Sequence, residues 1–323
     1  MKPNAPLSFI LITALTAAWA GPRPVCGEEK KNPYPDRKVM AADKGTVHIF
    51  NAEGKSLWSY RVGGFHDLHM LKNGNVLINR GLQKVVEITP EKKTVWSFDG
   101  KKAFPDRRFE IHAFQRLPNG DTMIAVSGPG LIIEVGPDGQ INKRIKIKIR
   151  RPHPHMDTRL VRKLDNGHYL VCHEGDGRVT EYDAEGKVVW DYDVPLFGKP
   201  KKGGHGPTSW GNKVFGAIRL PSGNTLIATG NGHSVLEVTS QKKIVWKIEQ
   251  NELPGIRLAW VTTLERLPNG NTVIGNCHAG KGQPQLIEVT PEKKVVWTFY
   301  NWKELGNAVS NSQVLGVEGK VIR

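Results

Sequence analysis

Cysteine is scarce in this chain: there are three among 323 residues, at Cys26, Cys172 and Cys277. Three thiols do not make a disulfide framework, so the fold has to be held by its hydrophobic core. Cys172 and Cys277 each lie in an apolar, strand-like stretch of repeats that are not adjacent, which argues against a bridge between them. We interpret both as buried, unreactive thiols.

Long hydrophobic runs are also missing, apart from one at the N-terminus. Residues 1–20 contain a lysine, the apolar run "PLSFILITALTAAWA" and a final small-x-small triplet, the features of a secretory signal peptide cleaved after Ala20. A membrane anchor is the alternative, but the run is short and no stop-transfer flank follows it, and "RPVC" at Cys26 lacks the small residues of a lipoprotein signal. No other stretch approaches the roughly 18 apolar residues of a membrane span. We therefore expect an exported protein, periplasmic or extracellular, with a flexible segment at 21–37 and no membrane span.

Acidic residues are outnumbered: 31 Asp and Glu stand against 46 Lys and Arg, a formal net charge of +15. Removing residues 1–20 takes away only Lys2 and leaves +14. This balance favours anionic partners, although many lysines sit in turn pairs such as "EKK", where solvation alone accounts for them. The stretch "KRIKIKIRR" alternates basic residues with isoleucine, which gives a strand one basic face where a polyanion could dock. No aromatic residues interleave it, so a nucleic acid partner is not expected.

What the chain does contain is an internal repeat. Five stretches share a leucine, an Asn-Gly or Ser-Gly turn and a β-rich strand: "HMLKNGNVLI", "QRLPNGDTMI", "RKLDNGHYLV", "AIRLPSGNTLI" and "ERLPNGNTVI". Asn and Gly both tolerate a positive φ, so the pair between two apolar runs is a hairpin signal. The turn glycines lie 46, 47, 56 and 47 residues apart, at Gly74, Gly120, Gly167, Gly223 and Gly270. After this β-rich strand each unit has another, such as "KVVEIT" or "SVLEVT", and then a further one. This last strand carries a tryptophan at one equivalent position in all units but one: Trp58, Trp96, Trp190, Trp246 and Trp297, with Lys143 in the remaining unit.

Each unit therefore contains four short strands, a to d, and a period in the forties is that of propeller blades. Five complete blades cover about residues 65–300. The two ends of the chain supply a sixth, with strands b to d from "KVMAADKGTVHIFNAEGKSLWSY" and strand a from "NAVSNSQVLGVEGKVIR". We predict an all-β fold at 38–323: a single-domain, six-bladed β-propeller closed by pairing of the N- and C-terminal strands, with seven blades as the alternative. The repeated tryptophan is interpreted as packing between blades rather than as stacking on a sugar.

Histidines concentrate on one predicted face, here called the top face, which carries the b–c loops and the d–a connections. Aligning the repeats puts His112, Arg159, Phe215 and Thr262 at the position of His66, around the mouth of the central channel. Propellers usually bind ligands at this mouth and at the b–c loops. His69, by contrast, is expected to be a packed strand residue. The other top-face candidates lie beside the mouth or in loops: Asp67, Arg80, His153, His155, His173, His205, His233 and His278.

Three chemistries suit such a cluster. A metal site is one, but only "HPH" at 153–155 offers two close histidines on one element, and no metal ligands are assigned. Group transfer is the second, with His66 or His112 as nucleophile or acid/base and Arg159 or Arg80 holding an oxyanion. Anion binding without catalysis is the third. In that case the ligand would be bound by the mouth residues together with Asp67, Arg80, His155, His173, His233 and His278.

The combination of "LPNGNT", "VLEVT" and "GKVVWDY" resembles secreted bacterial propellers of the PQQ-like (quinoprotein-like) repeat type, particularly those related to arylsulfotransferases. The resemblance covers about residues 38–322, and its motifs are structural repeats. Quinoprotein dehydrogenases imply a bound quinone, a calcium ion and often adjacent cysteines; no Cys-Cys pair exists here, so a quinone cofactor is not expected. Arylsulfotransferases imply a histidine that takes the sulfuryl group, and His66, His112, Arg159 and His278 are compatible with such a site by position. The additional N-terminal β domain of those enzymes has no counterpart in this chain.

From these features we expect an exported, monomeric propeller that binds an anionic small molecule, a polyanionic glycan or a protein partner at a His/Arg-lined top face. An arylsulfotransferase-like group-transfer enzyme is one alternative, and a cell-envelope scaffold is the other.

Overall fold

The computed structural model describes residues 33–323, together with Met1, and in that range the chain forms six four-stranded antiparallel sheets. The predicted six-bladed propeller is confirmed. The predicted signal peptide (1–20), apart from Met1, and Cys26 lie outside the described residues, as does most of the predicted flexible segment 21–37. Among residues 33–323 no helix is long and apolar enough to cross a membrane.

The first three blades run in chain order from residue 38. Blade 1 takes three strands from this part of the chain: β1 (Lys38–Asp43), β2 (Thr46–Phe50) and β3 (Ser56–Arg61). Blade 2 contains β4 (Leu68–Met70), β5 (Val76–Asn79), β6 (Lys84–Ile88) and β7 (Thr94–Asp99). A one-turn helix, α1 (Gly100–Ala103), then leads to blade 3, which contains β8 (Glu110–Arg116), β9 (Thr122–Ser127), β10 (Leu131–Val135) and β11 (Ile141–Lys146).

The remaining blades follow the same pattern. Blade 4 contains β12 (Val161–Lys163), β13 (Tyr169–His173), β14 (Arg178–Tyr182) and β15 (Val188–Asp193). Blade 5 contains β16 (Gly216–Arg219), β17 (Thr225–Ala228), β18 (Val235–Val238) and β19 (Ile244–Ile248). Blade 6 contains β20 (Trp260–Arg266), β21 (Thr272–Cys277), β22 (Leu286–Val289) and β23 (Val295–Phe299), and the last strand of the chain is β24 (Asn311–Leu315).

The ring closes in blade 1, as predicted, because β24 pairs antiparallel with β1. The register joins Lys38 to Leu315 and Ala42 to Asn311. The innermost strand of blade 1 thus comes from one end of the chain and its other three strands come from the other end. Closure of this kind pairs the inner edge of β1, which would otherwise be exposed.

The turn between strands a and b shows why Asn-Gly recurs. In blade 2 Gly74 adopts a φ of +82°, whereas Asn73 keeps a negative φ, so only one of the two residues uses the left-handed region. Asn73 acts through its side chain instead, because its Oδ1 accepts a hydrogen bond from the backbone N–H of Asn75 (3.0 Å). The motif is therefore a glycine turn locked by an asparagine side chain rather than a pair of left-handed residues.

The repeated tryptophans join neighbouring blades, as predicted. The indole N–H of Trp58 donates to the carbonyl of Pro90 in the c–d turn of blade 2 (2.8 Å). The same bond recurs between later blades, from Trp96 to Gly136 (3.3 Å), from Trp190 to Ser240 (2.9 Å) and from Trp246 to Pro291 (2.7 Å). Tryptophan is selected at this position because it combines a large apolar ring with one directed donor.

A glutamate in the third strand of blades 2 to 6 makes a second inter-blade contact. Glu87 pairs with Arg116 of the next blade (2.8 Å) and also accepts from the amide of Asn75 in its own turn (2.6 Å). The equivalent ion pairs are Glu134–Lys163, Glu181–Arg219, Glu237–Arg266 and Glu288–Arg37. Because these carboxylates are largely buried, each must be matched by a cation. Apolar clusters between adjacent blades, such as Met40, Leu68, Val76 and Val86 between blades 1 and 2, complete the core.

Candidate functional site

Residues from adjacent blades meet at the channel mouth on the top face. His66 stands just before β4, Glu110 and His112 belong to β8, and His155 lies in the connection from β11 to β12. The pairing of β8 with β9 shifts between Ile111 and Ala113, so His112 is the extra residue of a β-bulge. Bulges re-aim side chains and often occur beside functional sites. We call His66, Glu110, His112 and His155 the mouth cluster.

The mouth cluster converges on a single atom, Oε2 of Glu110. This oxygen lies 3.1 Å from Nε2 of His66, 2.9 Å from Nε2 of His112 and 2.7 Å from Nδ1 of His155. One potential ligand atom from each of the four residues lies within 4.8 Å of all the others. The ring centroids of His66 and His112 are 4.0 Å apart. Such a set of three imidazoles and one carboxylate can hold a divalent transition-metal ion.

Burial sets the protonation of this cluster. It lowers the pKa of His66 to about 4, an effect that the Arg159 charge reinforces and contact with Glu110 opposes. Burial, together with the neighbouring His66 and Arg159, holds the pKa of His112 well below its usual range. Burial alone would raise the pKa of Glu110, but its contacts with His112, His155 and His66 outweigh that and hold it well below the usual range. Neutral rings and an ionised carboxylate are the forms that bind metals.

Arg159 connects the mouth cluster to a second carboxylate. It donates Nη1–H to Nδ1 of His66 (3.4 Å) and Nη2–H to Nε2 of His155 (3.0 Å). Its Nε–H donates to Glu174, which also lies 3.7 Å from the Lys213 ammonium. Arg159 therefore fixes the orientation of two rings of the cluster while its own charge is matched by Glu174.

Aromatic side chains continue the rim on the far side of Arg159. The Arg159 guanidinium lies 5.2 Å from the centre of the Phe215 ring, and the Lys213 ammonium lies 5.9 Å from the Trp260 ring. His205, from the long insertion between blades 4 and 5, lies against Trp260 (4.5 Å between centroids) and His278 (5.0 Å). His278 thus belongs to the rim, as predicted by position, but it contacts His205 and Cys277 rather than the mouth cluster.

Besides His278, four predicted site residues lie away from the mouth cluster. Asp67 points into the channel, where it is fully buried and paired with Arg162 at 2.8 Å. Arg80 is exposed in the b–c loop of blade 2. His173 is buried, with its ring nitrogens bonded to the Asp157 carbonyl (2.9 Å) and the Tyr182 hydroxyl (2.9 Å).

His233 is likewise buried, and its ring nitrogens contact the carbonyls of Ala259 and Ser209. Both His173 and His233 brace loops from inside, because their ring nitrogens are already engaged by protein groups. His69 is packed and hydrogen-bonded, as expected: Nε2 lies 3.3 Å from Asp67, and Nδ1 accepts from Arg323 at 3.0 Å.

Reasoning from the sequence missed Glu110, the central residue of the cluster, together with Glu174 and Lys213. A signal existed for the first of these. Residues two apart in a strand share a face, so "EIH" at 110–112 puts a carboxylate beside a predicted channel-mouth histidine. For Glu174, which follows His173 in "VCHEG", the contact with Arg159 depends on the conformation of the b–c loop.

Comparison with known proteins identifies the fold. No family model matches the chain, and no curated protein matches it significantly. A protein of unknown function from Bacteroides caccae superposes with a TM-score of 0.73 at 23% identity, over 87% of this chain and 99% of that one.

Two lyase structures are also similar. A streptogramin B lyase gives a TM-score of 0.56 at 11% identity, over 83% of this chain and 84% of that one. A catalytically inactive variant of virginiamycin B lyase from Staphylococcus aureus, with quinupristin, gives 0.55 at 13% identity, over 84% and 87%. At these identities the likeness concerns the fold, and the resemblance to PQQ-like or arylsulfotransferase propellers remains an expectation. The chain is a β-propeller, similar in fold to these structures.

Proposed function

We propose that this chain is an exported propeller that binds an anionic small molecule at the channel mouth, through a divalent transition-metal ion held by the mouth cluster. The observation that carries the proposal is the convergence of three imidazole nitrogens on one carboxylate oxygen, at 2.7 to 3.1 Å. Ligand atoms of a tetrahedral zinc site with bonds of about 2.0 Å lie about 3.3 Å apart. The three distances to Glu110 are within a few tenths of an ångström of this value, whereas the ligand atoms as a set lie up to 4.8 Å apart. The imidazole rings would therefore have to move toward one another to surround an ion.

The hydrogen bonding of His112 favours a cation at this point. Its Nδ1 faces the carbonyl oxygen of Thr158, which can only accept, so Nδ1 carries the hydrogen. A neutral His112 then turns the lone pair of Nε2 toward the Glu110 carboxylate, 2.9 Å away. Two lone pairs at this distance repel unless a proton or a metal ion lies between them. Burial disfavours the protonated ring, and a backbone carbonyl behind a histidine is the usual support of a metal ligand.

The metal ion also accounts for anion binding. Without it, the ionised Glu110 at the centre of the cluster repels an anion, and the Arg159 charge is already matched by Glu174. A divalent ion changes the formal charge of the cluster from −1 to +1. An anion can then bind the ion directly, with Lys213 adding a second positive charge on the rim.

His155 provides the place for the ligand. Its side chain is 48% exposed and lies on a loop connection, whereas His66 and His112 are buried. Three protein ligands with one replaceable position are the arrangement of zinc sites that bind an exogenous group. We therefore assign His66, Glu110 and His112 as the permanent ligands and His155 as the one that an anion displaces. Because Arg159 now donates to Nδ1 of His66, this assignment requires Arg159 to turn away and the ring hydrogen to move to Nδ1 when Nε2 binds the ion.

The contacts of the ring nitrogens of His66 and His112 favour ligand binding over histidine-based group transfer. A histidine nucleophile needs a ring nitrogen with a free lone pair facing the substrate. In the metal-loaded cluster Nε2 of His66 and of His112 would bind the ion, and the Nδ1 atoms face Arg159 and the Thr158 carbonyl, so neither ring would keep a lone pair for a substrate. The predicted export of the protein fits this role, since residues 1–20 have the features of a secretory signal.

Metal titration of the chelator-treated protein tests the proposal. Calorimetry should show about one equivalent of Zn²⁺ or Mn²⁺ bound and little Mg²⁺, which prefers oxygen ligands. Glu110→Gln and His112→Asn should weaken Zn²⁺ binding by about 100-fold or more, because each removes a ligand rather than an outer partner. His168→Ala, a histidine in the a–b turn of blade 4 that contacts Glu181 and not the mouth cluster, is the matched control and should bind zinc like the original protein.

Anion binding by the metal-loaded protein is tested separately with sulfate, phosphate and a chromogenic aryl sulfate. These anions should bind the zinc-loaded protein and not the metal-free protein. Zinc binding that is absent, or unchanged in Glu110→Gln, would overturn the metal centre. Anion binding that is independent of zinc would refute the metal-mediated route and return the mouth to direct binding by Arg159.

A further inference from the structure

A cavity opens at the other end of the channel, on the face that carries the Asn-Gly turns. It has a volume of about 670 Å³ and lies between the turns of blades 4 and 5 and the segment Lys320–Arg323. This segment crosses beneath the channel, where Ile322 forms a β-bridge with Arg266. We call this space the lower cavity. Its volume is within the range of sites that hold small organic molecules.

Basic side chains surround the lower cavity. Its lining includes five cationic side chains, at Arg162, Lys163, Arg219, Lys320 and Arg323. Only two acidic residues, Asp165 and Glu181, line it with them. Glu181 is already paired with Arg219 at 2.6 Å, and the Asp165 side chain is 98% exposed. The other cations are matched as well, because Arg162 pairs with Asp67, Lys163 with Glu134, Lys320 with Asp165 and Arg323 with Glu265. What the cavity offers an anion is therefore N–H donors rather than unmatched positive charge.

Arg162 gives the cavity a specific donor. It is only 6% exposed, and its Nη atoms donate to Asp67 and to the Val161 carbonyl. Its buried Nε has no hydrogen-bond partner among the described residues. A buried guanidinium N–H without a partner is costly, and a bound carboxylate or ordered water would satisfy it.

Apolar side chains form the opposite wall of the cavity. They come from the turns of blades 4 and 5 and from the crossing segment: Leu164, Ile218, Leu220, Pro221, Val321 and Ile322. A purely polar anion would leave this wall in contact with water or with polar groups. A ligand with both a charged end and an apolar body matches both walls at once.

We propose that the lower cavity is a second binding site, distinct from the mouth cluster, for a small amphiphilic carboxylate such as a medium-chain acid. The carboxylate lies toward Arg162, Arg323 and Lys320, and the hydrocarbon body packs on Ile218 and Leu220. The site is independent of the metal, since none of its lining residues belongs to the mouth cluster.

Calorimetry with three matched probes tests this assignment. Octanoate has both a carboxylate and a hydrocarbon chain. It should bind at least about 10-fold more tightly than octanol, which lacks the charge, or acetate, which lacks the hydrocarbon chain. Leu164→Trp should fill the cavity and reduce octanoate affinity about 10-fold or more. Lys320→Glu, an exposed position where the fold is not at risk, should weaken octanoate and leave octanol unchanged.

Two controls separate this site from the mouth. Lys281→Glu, exposed on the opposite face, should not change octanoate binding, and neither should Glu110→Gln. Equal affinity for octanoate and octanol would refute the anion assignment. Octanoate affinity unchanged in both Leu164→Trp and Lys320→Glu would overturn the site itself, whatever the outcome of the zinc experiments.

Discussion

Asp67 offers the most decisive test of how charge is arranged inside the channel. Its side chain is fully buried, and its two oxygens accept from Arg162 (2.8 and 3.2 Å), the Asn311 amide (2.7 Å) and the backbone N–H of Phe114 (3.2 Å). Burial opposes ionisation, but Arg162 and His69 outweigh it and hold the pKa of Asp67 well below its usual range. The carboxylate thus joins blades 1 to 4 around the channel axis.

The variant Asp67→Asn keeps the shape and removes the charge. Arg162 is then a buried cation without a counter-ion, and the new amide group faces at least one donor. Removing one partner of a buried pair costs about 3–5 kcal/mol. For a domain of this size about 2 °C of melting temperature corresponds to 1 kcal/mol, so we expect a decrease of about 6–10 °C.

Thermal unfolding followed by tryptophan fluorescence measures this loss. Asp193→Asn is the matched control, because Asp193 pairs with Arg150 at 3.1 Å in an exposed position and should cost less than about 1 kcal/mol. Adding Arg162→Met to Asp67→Asn should recover part of the stability, since the unpaired charge is removed. If Asp67→Asn melts no earlier than Asp193→Asn, the reasoning about the buried pair is wrong.

Two further predictions concern the fold. Burial lowers the pKa of His173 to about 4 from an unfolded value near 6.5, so the unfolded chain binds the proton first and stability falls as pH drops from 6.5 to 4. At 1.36 kcal/mol per pKa unit, His173 contributes about 3 kcal/mol to the free energy of unfolding above pH 6.5. Urea unfolding at pH 7, 5.5 and 4.5 measures this contribution. A His173→Gln variant whose stability depends on pH as steeply as that of the original protein would contradict the assignment. Trp246→Phe removes the indole bond to the Pro291 carbonyl and should destabilise the protein by about 1 kcal/mol, and an unchanged melting temperature would show that the inter-blade bond adds nothing.

The fold could be predicted from the sequence because its signals are local and repeated. Each turn glycine, such as Gly74, and each inter-blade tryptophan, such as Trp96, occurs at the same place in successive units. The inter-blade glutamates could have been predicted in the same way, since Glu87 and its equivalents occupy one position in the third strand of blades 2 to 6.

The candidate site could be predicted only in part. The alignment of repeats placed His66, His112 and Arg159 around one mouth, and they do lie together. The alignment could not reveal Glu110, because this residue occurs in one blade; its only signal was the spacing of two residues from His112, and its final position depends on the bulge there. Nor could it distinguish His155 from His233, because both lie in connections and only the loop conformation, a φ of +51° at His233, turns one of them inward.

Closure of the ring by β24 determines when, during its synthesis, the protein can complete its fold. The register pairs Ala41 with Ser312, residues separated by nearly the whole propeller. Contacts at such sequence separation are slow to form, because a long loop must be closed before they contribute stability. The inner edge of blade 1 therefore stays open until the last strand has been synthesised. The export that we propose would gain from this delay if the chain crosses the membrane unfolded, since the propeller cannot close while the C-terminal strand is still missing.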